Sequence, residues 1–346
     1  MATEVTCIVD TDGTQNPDYT SLAAAIAGET GASPKCVTSA NLVTYDEQLT
    51  IECRASSGAA DTAAVDIAGF TVRSTCFVEV YVSPAHRHSG ARDTSKYRLA
   101  VSGNHCINLT NTYCVIDGLQ IEPSVGSGVV GYAGIHSGIY GNIFTIKNCL
   151  FYGPNTSSDN GVCGIMWENS LFDDYTLIIN NIIYNMGSGT YAYGIRARGW
   201  ADESVLIYNN TISGCNTGCL ARKATLCNNV IFNCGTDISS SDSPSVTYTA
   251  TDDNSFAGTG NVDISPGATE ADDWAAAFTD YANGDFSLKS GSPLIDAGTD
   301  LSAVMDSVDI IGTSRPQGDY WDIGAFEYVV SSIPVAMHHY NLLRSA

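Results

Sequence analysis

Hydrophobic and polar positions alternate in short runs that return at regular distances through the middle of the chain. One unit sets an amide, acidic or small residue before an apolar stretch. It occurs as Asp117-Gly118-Leu119-Gln120-Ile121, Lys147-Asn148-Cys149-Leu150-Phe151, Asn180-Asn181-Ile182-Ile183-Tyr184, Asn209-Asn210-Thr211-Ile212-Ser213 and Asn228-Asn229-Val230-Ile231-Phe232. Taking Gly118, Asn148, Asn181, Asn210 and Asn229 as equivalent, the steps are 30, 33, 29 and 19 residues. A second unit lies between these: Gly134-Ile135-His136, Gly164-Ile165-Met166, Gly194-Ile195-Arg196 and Gly218-Cys219-Leu220, with steps of 30, 30 and 24. Alternation with a period of two is the signature of strands. Two strands per period with variable insertions predict the coil of a β-solenoid, and the period is too short for a propeller blade.

Stacking coils at about 4.8 Å turns equivalent positions into columns. Ile135, Ile165, Ile195 and Cys219 are expected to face the interior, and so are Leu150, Ile183, Ile212 and Ile231. Asn148, Asn181, Asn210 and Asn229 are expected to form an asparagine ladder, since Asn tolerates left-handed turns and its amide can bond neighbouring coils. Cys215 and Cys234 share the local 19-residue step and are expected to stack as small core fillers.

Solenoid ends need caps. Residues 1–30 read as a strand around Thr6-Cys7-Ile8-Val9 and a cap helix over Leu22–Ala27, with Thr20 or Ser21 as N-cap and Gly28 ending it. Residues 31–328 read as the solenoid, with irregular coils and long loops over 239–279, and 329–346 as an apolar tail.

Composition narrows the function. Five lysines and ten arginines against 37 acidic residues give a net charge of −22, which argues against nucleic-acid binding. Twenty-three asparagines and 33 glycines fit a turn-rich β architecture rather than helical bundles. With 44% hydrophobic residues the chain is not an acidic disordered tail. No run of about 18 apolar residues suggests a membrane span. The first residues lack the basic and apolar regions of a secretory signal, so buried free thiols are expected for the twelve cysteines.

These repeats resemble right-handed parallel β-helix proteins of the pectate-lyase-like superfamily. The segment Asp18-Tyr19-Thr20-Ser21-Leu22 with Ala25-Ile26 is similar to that superfamily's cap helix. The loop from Arg87-His88-Ser89-Gly90 to Tyr97-Arg98-Leu99, the SGSPLIDAG segment at 290–298 and the DIGAFEY segment at 322–328 are similar to a branch in phages and environmental bacteria. The resemblance covers residues 5–328 and implies an all-β, right-handed, single-stranded parallel β-helix. It leaves function open, because this fold hosts lyases, hydrolases, adhesins and virion spikes.

Candidate chemistry follows from alternation. Opposite the Ile column point His136, Met166, Arg196 and Leu220, and two residues on come Gly138, Glu168, Arg198 and Arg222. Glu168, Arg198 and Arg222 should stand in a line with Arg196 and His136 beside them. A carboxylate among guanidiniums can bind an acidic sugar or act in acid–base chemistry, while a surface ion-pair ladder is the plainer reading. Alternation turns Trp167 inward. The loop at 86–98, with Arg87 and Arg92, offers a second contact for a glycan or acidic partner, or pairs its charges locally. Asp-Asp pairs at 173–174, 252–253 and 272–273, and Asp10-x-Asp12-Gly13, read as solvated turns, and the spacing of Cys215, Cys219, Cys227 and Cys234 is poor for zinc. No metal or cofactor is assigned, although calcium would accompany a lyase activity. The tail residues Ile333, Val335, Met337, Tyr340, Leu342 and Leu343 read as a docking arm or a fold-back cap. The leading expectation is a non-enzymatic virion structural protein, a capsid decoration or fibre or spike component. It would be made in the host cytoplasm, be displayed on the virion surface, and meet other virion proteins through its tail. Trimers are frequent among such spikes. The alternatives are a polysaccharide lyase or glycoside hydrolase using Glu168, Arg196 and Arg198, and a secreted glycan-binding adhesin.

Overall fold

The computed structural model describes residues 2–14, 16–55, 57–125, 131–138, 143–154, 161–168, 176–198, 205–253, 256–267 and 269–330. Three sheets of stacked parallel strands form a parallel β-helix-like solenoid, because from Val78–Val82 to Ala250–Thr251 successive strands go to the three sheets in turn. The first sheet runs from Thr3–Asp10 and Glu47–Arg54 through Phe144–Lys147 to Ser245–Thr247. The second runs from Arg98–Ser102 through Ile182–Gly187 to Val262–Asp263, and the third from Val65–Ile67 through Tyr193–Arg198 to Thr236–Asp242.

Alternation sends one apolar column per sheet inward. Val80, Ile116, Ile146, Ile178 and Ile207 line the first sheet. Phe151, Ile183, Ile212 and Ile231 line the second, and Ile107, Ile135, Ile165, Ile195, Cys219 and Ile238 the third. Nearly all are fully buried. The second-sheet column corrects the sequence expectation at one place: Phe151, not Leu150, stands over Ile183. The glycines before the third-sheet column are required by close approach. A Cβ on Gly194 would lie 2.5 Å from both the Gly218 carbonyl oxygen and Ile212 Cγ2.

The asparagines also differ from expectation. The coil containing Asn148 is 32 residues long, not 33, since Ile146 pairs with Ile178. Asn148 therefore stands with Asn180, Asn209 and Asn228, all at positive φ, while Cys149 takes the ladder position ahead of Asn181, Asn210 and Asn229. The work divides between the two asparagines of each pair. The first supplies the left-handed turn, and the second is fully buried with its amide bridging coils. Asn210 Oδ1 accepts from Asn181 N at 2.9 Å and from Asn181 Nδ2 at 3.0 Å, and Asn229 Oδ1 does the same for Asn210 at 3.0 Å each. The Cys149 N–H donates to Asn181 Oδ1 at 3.0 Å, which ends the ladder.

The helix Leu22–Glu29 buries Leu22, Ala25 and Ile26, with Ser21 as N-cap accepting from Ala24 N at 3.1 Å. Gly28 does not end it. It lies in the last turn because the Tyr19 ring passes where a Cβ would stand, and Thr30 is the C-cap.

The stacked strands stop at Val262–Asp263. Residues 239–279 are more regular than expected, with strands to that point and a helix Glu270–Ala277. The described residues of 264–328 then lie over the outer faces of the second sheet and of the first, where Met305 and Trp321 pack on Ile179, Tyr208 and Cys227. On the second sheet Leu150, Ile182, Tyr184, Val230 and Phe232 point outward and are covered by Trp274, Phe278, Phe286, Leu294, Ile323 and Phe326. The 290–298 and 322–328 segments meet within this layer through Ile323 N to Leu294 O at 3.0 Å and Asp296 N to Asp322 Oδ1 at 2.7 Å. An ion pair between Arg315 and Glu327 at 2.8 Å, both side chains fully buried, holds the layer together. All twelve cysteines are free thiols, and Cys36 and Cys234 alone among them are half-buried.

Candidate functional site

The outer face of the third sheet carries the candidate site, and backbone pairing sets its columns. His136, Met166, Arg196 and Leu220 stand in register, as do Glu168, Arg198, Arg222 and Asp242. Arg196 Nη2 pairs with Glu168 Oε1 at 2.8 Å. The Arg196 side chain is 14% exposed against 39% for Glu168, so the guanidinium is the more buried partner. It passes over Met166 Sδ at 3.6 Å and the Tyr193 ring at 5.7 Å, and its Nε is buried without an acceptor among the described residues. Arg222 pairs with Asp242 at 2.5 Å, and Arg198 is exposed with no charged partner among the described residues. Trp167 is core, as alternation predicts.

The site extends one coil further than the repeat pattern alone implies. Asn108 stands beside His136 in the register, and its Oδ1 lies 2.9 Å from His136 Nδ1. Asn108 Nδ2 donates in turn to Asp66 Oδ1 at 3.1 Å. The His105 ring stacks on His136 at 4.2 Å between centroids, with its Nδ1 accepting from Ala133 N at 3.0 Å. Burial lowers both histidines, His105 to about 4 with help from His136, so both rings are neutral at pH 7. The signal for this coil is Cys106-Ile107-Asn108, which continues the Gly-Ile-X unit by a 28-residue step but lacks its glycine.

The loop at 86–98 spends its charges locally. Arg87 pairs with Asp117 at 2.8 Å and donates to the Val82 carbonyl, and Arg92 pairs with Glu122 at 2.7 Å and lies over the Tyr152 ring. His88 is buried, and Gly90 packs directly under the Phe326 ring. Ile333, Val335, Met337, Tyr340, Leu342 and Leu343 lie outside the described residues, as does the 173–174 pair.

Three acidic pairs are not the simple solvated turns expected: Asp272-Asp273 lies in the first turn of the helix Glu270–Ala277, and the other two involve buried carboxylates. Asp10 is fully buried, and the Asp252-Asp253 turn folds over the buried Asp237. Asp237 Oδ2 accepts from Asp252 N at 2.8 Å and Asp253 N at 3.3 Å. Burial pushes the Asp237 carboxyl up to about 10, and the adjoining Asp252 carboxylate pushes the same way. The Asp237 carboxyl therefore keeps its proton at neutral pH. This turn borders a polar cavity of about 510 Å³ lined by Asn185, Asn233, Asp252, Asp253, Glu270 and Trp274. Its residues come from turns of four successive coils and the following helix, so no contiguous motif announces it.

Chemically, the third-sheet face offers guanidinium donors and a carboxylate acceptor at coil spacing, an arrangement suited to a planar anion such as a uronate. Among the described residues, Cys7, Asp18 and Cys36 form the one group whose metal-ligating atoms converge within 4.8 Å, and it lies outside this face. Comparison with profiles of protein families, with curated proteins and with solved structures returns no match. Fold and site therefore define a class, an all-β solenoid of stacked parallel strands with an ion-paired outer face.

Proposed function

We propose that the chain is a non-enzymatic display solenoid of a virion surface, a capsid decoration or a fibre or spike component, attached through residues 329–346. The supporting observation is how the chain leaves the fold. After the buried Phe326 and Glu327 it emerges through Val329 and Val330, 51% and 72% exposed, into a sequence whose next residues are largely apolar. Apolar surface in that position gains by being covered on a partner. The proposal includes the finer fold, a single strand of chain winding right-handedly, as parallel crossovers almost always do. The test is incorporation into particles. Deleting residues 329–346 should leave the circular dichroism and melting of the solenoid intact while the chain no longer sediments with particles. Incorporation of the truncated chain at the full level would refute the proposal.

The Glu168–Arg196 pair beside the exposed Arg198 favours a second reading, a polysaccharide lyase or glycoside hydrolase. Acidic glycans would then yield new unsaturated or reducing ends with the intact chain and not with Glu168→Ala. No product from any of them, or full activity in the variant, rejects it.

A further inference from the structure

At the N-terminal end of the solenoid, three side chains that take no part in the third-sheet face converge. Cys7 lies in the strand Thr3–Asp10, which is the edge strand of the first sheet, and its thiol is fully buried. Asp18 follows the turn after that strand, and Cys36 lies in the loop after the helix Leu22–Glu29. One ligand atom from each lies within 4.8 Å of the others. A tetrahedral zinc site holds thiolate and carboxylate donors about 3.5–3.8 Å apart, so these atoms need to close by no more than about 1.3 Å.

Each donor is positioned independently of any metal. Asp18 is aligned on the strand by Asp18 N to Ile8 O at 2.9 Å and by Ile8 N to Asp18 Oδ2 at 2.8 Å. The Cys36 loop is held by Glu29, a buried carboxylate that accepts from Lys35 N, Cys36 N and Val37 N and from the Tyr19 hydroxyl. Lys35 is turned aside, donating to the Asp18 carbonyl oxygen and standing over the Tyr19 ring at 4.3 Å. Cys36 is half-buried, so one of the three donors reaches solvent. Two thiols, one carboxylate and a nearby buried carboxylate form a pocket rich in negative charge and soft donors.

We propose that Cys7, Asp18 and Cys36 form a zinc site with water as the fourth ligand, tying the cap segment to the first strand. Binding replaces the two thiol protons, which pass to solvent, so affinity rises with pH. The observations favour a metal over a Cys7–Cys36 disulfide. A disulfide uses two of the three donors and gives no role to the convergence of Asp18 on them.

The test uses the full chain, reduced and freed of metal, with zinc as the probe in competition with a colorimetric chelator, and cobalt as a spectroscopic probe. The expected result is one zinc per chain, a raised melting temperature with zinc, and a thiolate-to-cobalt charge-transfer band. Cys36→Ser should abolish the band. Asp18→Asn keeps the shape and the acceptor for Ile8 N, so it should fold while weakening zinc by at least about tenfold, the loss that even outer-shell changes produce. A Cys215→Ser/Cys234→Ser chain should retain the site. Three results would each overturn the proposal: no zinc held against the chelator, zinc held equally by the Cys36→Ser and Asp18→Asn chains, or a Cys7–Cys36 disulfide found by mass spectrometry in the chain as isolated.

Discussion

Replacing Asn210 with alanine probes what holds the coils in register. The side chain is fully buried. Its Oδ1 takes the backbone and side-chain N–H groups of Asn181, and its Nδ2 serves Ile178 O at 2.8 Å, Tyr208 O at 3.1 Å and Asn229 Oδ1 at 3.0 Å. Some of these partners have other bonds. Asn181 Nδ2 also reaches Ile146 O, and Tyr208 O also accepts from Asn180 N. Two groups, Asn181 N–H and Ile178 O, lose a side-chain partner that nothing else among these contacts replaces. At about 1–3 kcal/mol for each buried group left unpaired, the cost is about 2–6 kcal/mol, reduced by about 1 kcal/mol of side-chain entropy no longer lost. The expected destabilisation is about 3 kcal/mol. Asn148→Gly is the matched control. Asn148 has φ 54°, is half-buried, and donates to Asp117 Oδ1 at 2.9 Å. Glycine relieves the left-handed strain as it removes that bond, so its change should stay within about 1 kcal/mol. Guanidinium denaturation followed by circular dichroism compares the two midpoints at common slope. If Asn210→Ala costs no more than Asn148→Gly, the ladder is not what secures the register.

Two further outcomes follow from buried charge. Arg315→Met should cost about 3–5 kcal/mol by leaving Glu327 buried and unpaired, and limited proteolysis should then open residues 290–328 before the stacked strands. Asp237 has a folded pKa of about 10, far above that of an unfolded aspartate, so its contribution is complete below about pH 4 and is lost as pH rises toward 10. Asp237→Asn mimics the protonated form, so its stability relative to the parent should improve by up to about 1.4 kcal/mol per pH unit across that window. Parallel stability–pH curves for the two chains would contradict a buried, protonated Asp237.

The third-sheet face is legible in the amino-acid sequence because the Gly-Ile-X unit recurs at 30, 30 and 24 residues with its glycine as a marker. Counting along that unit places Arg196 and Glu168 correctly. The Asn column slips by one because Asn148 is followed by Cys149, so the Asn-Asn pair that marks the later coils is missing and a 32-residue coil passes for 33. His105 and Asn108 escape the same count because their coil carries Cys106 where the glycine is expected.

The features settled by the order of amino acids are local: period-two alternation makes strands, Asn at left-handed turns bends them, and recurrence stacks them into an all-β solenoid. The place of the non-repeating residues is settled instead by packing in three dimensions. Residues 264–328 have no period, and their apolar side chains find a surface only once Leu150, Ile182, Val230 and Phe232 on the second sheet, and Ile179 and Tyr208 on the first, have been aligned on the outer faces. Cys7, Asp18 and Cys36 meet for the same reason: a strand, a turn and a loop converge where the cap folds over the first coil. Backbone sterics act between neighbours in the chain, whereas burial and charge pairing act between neighbours in space.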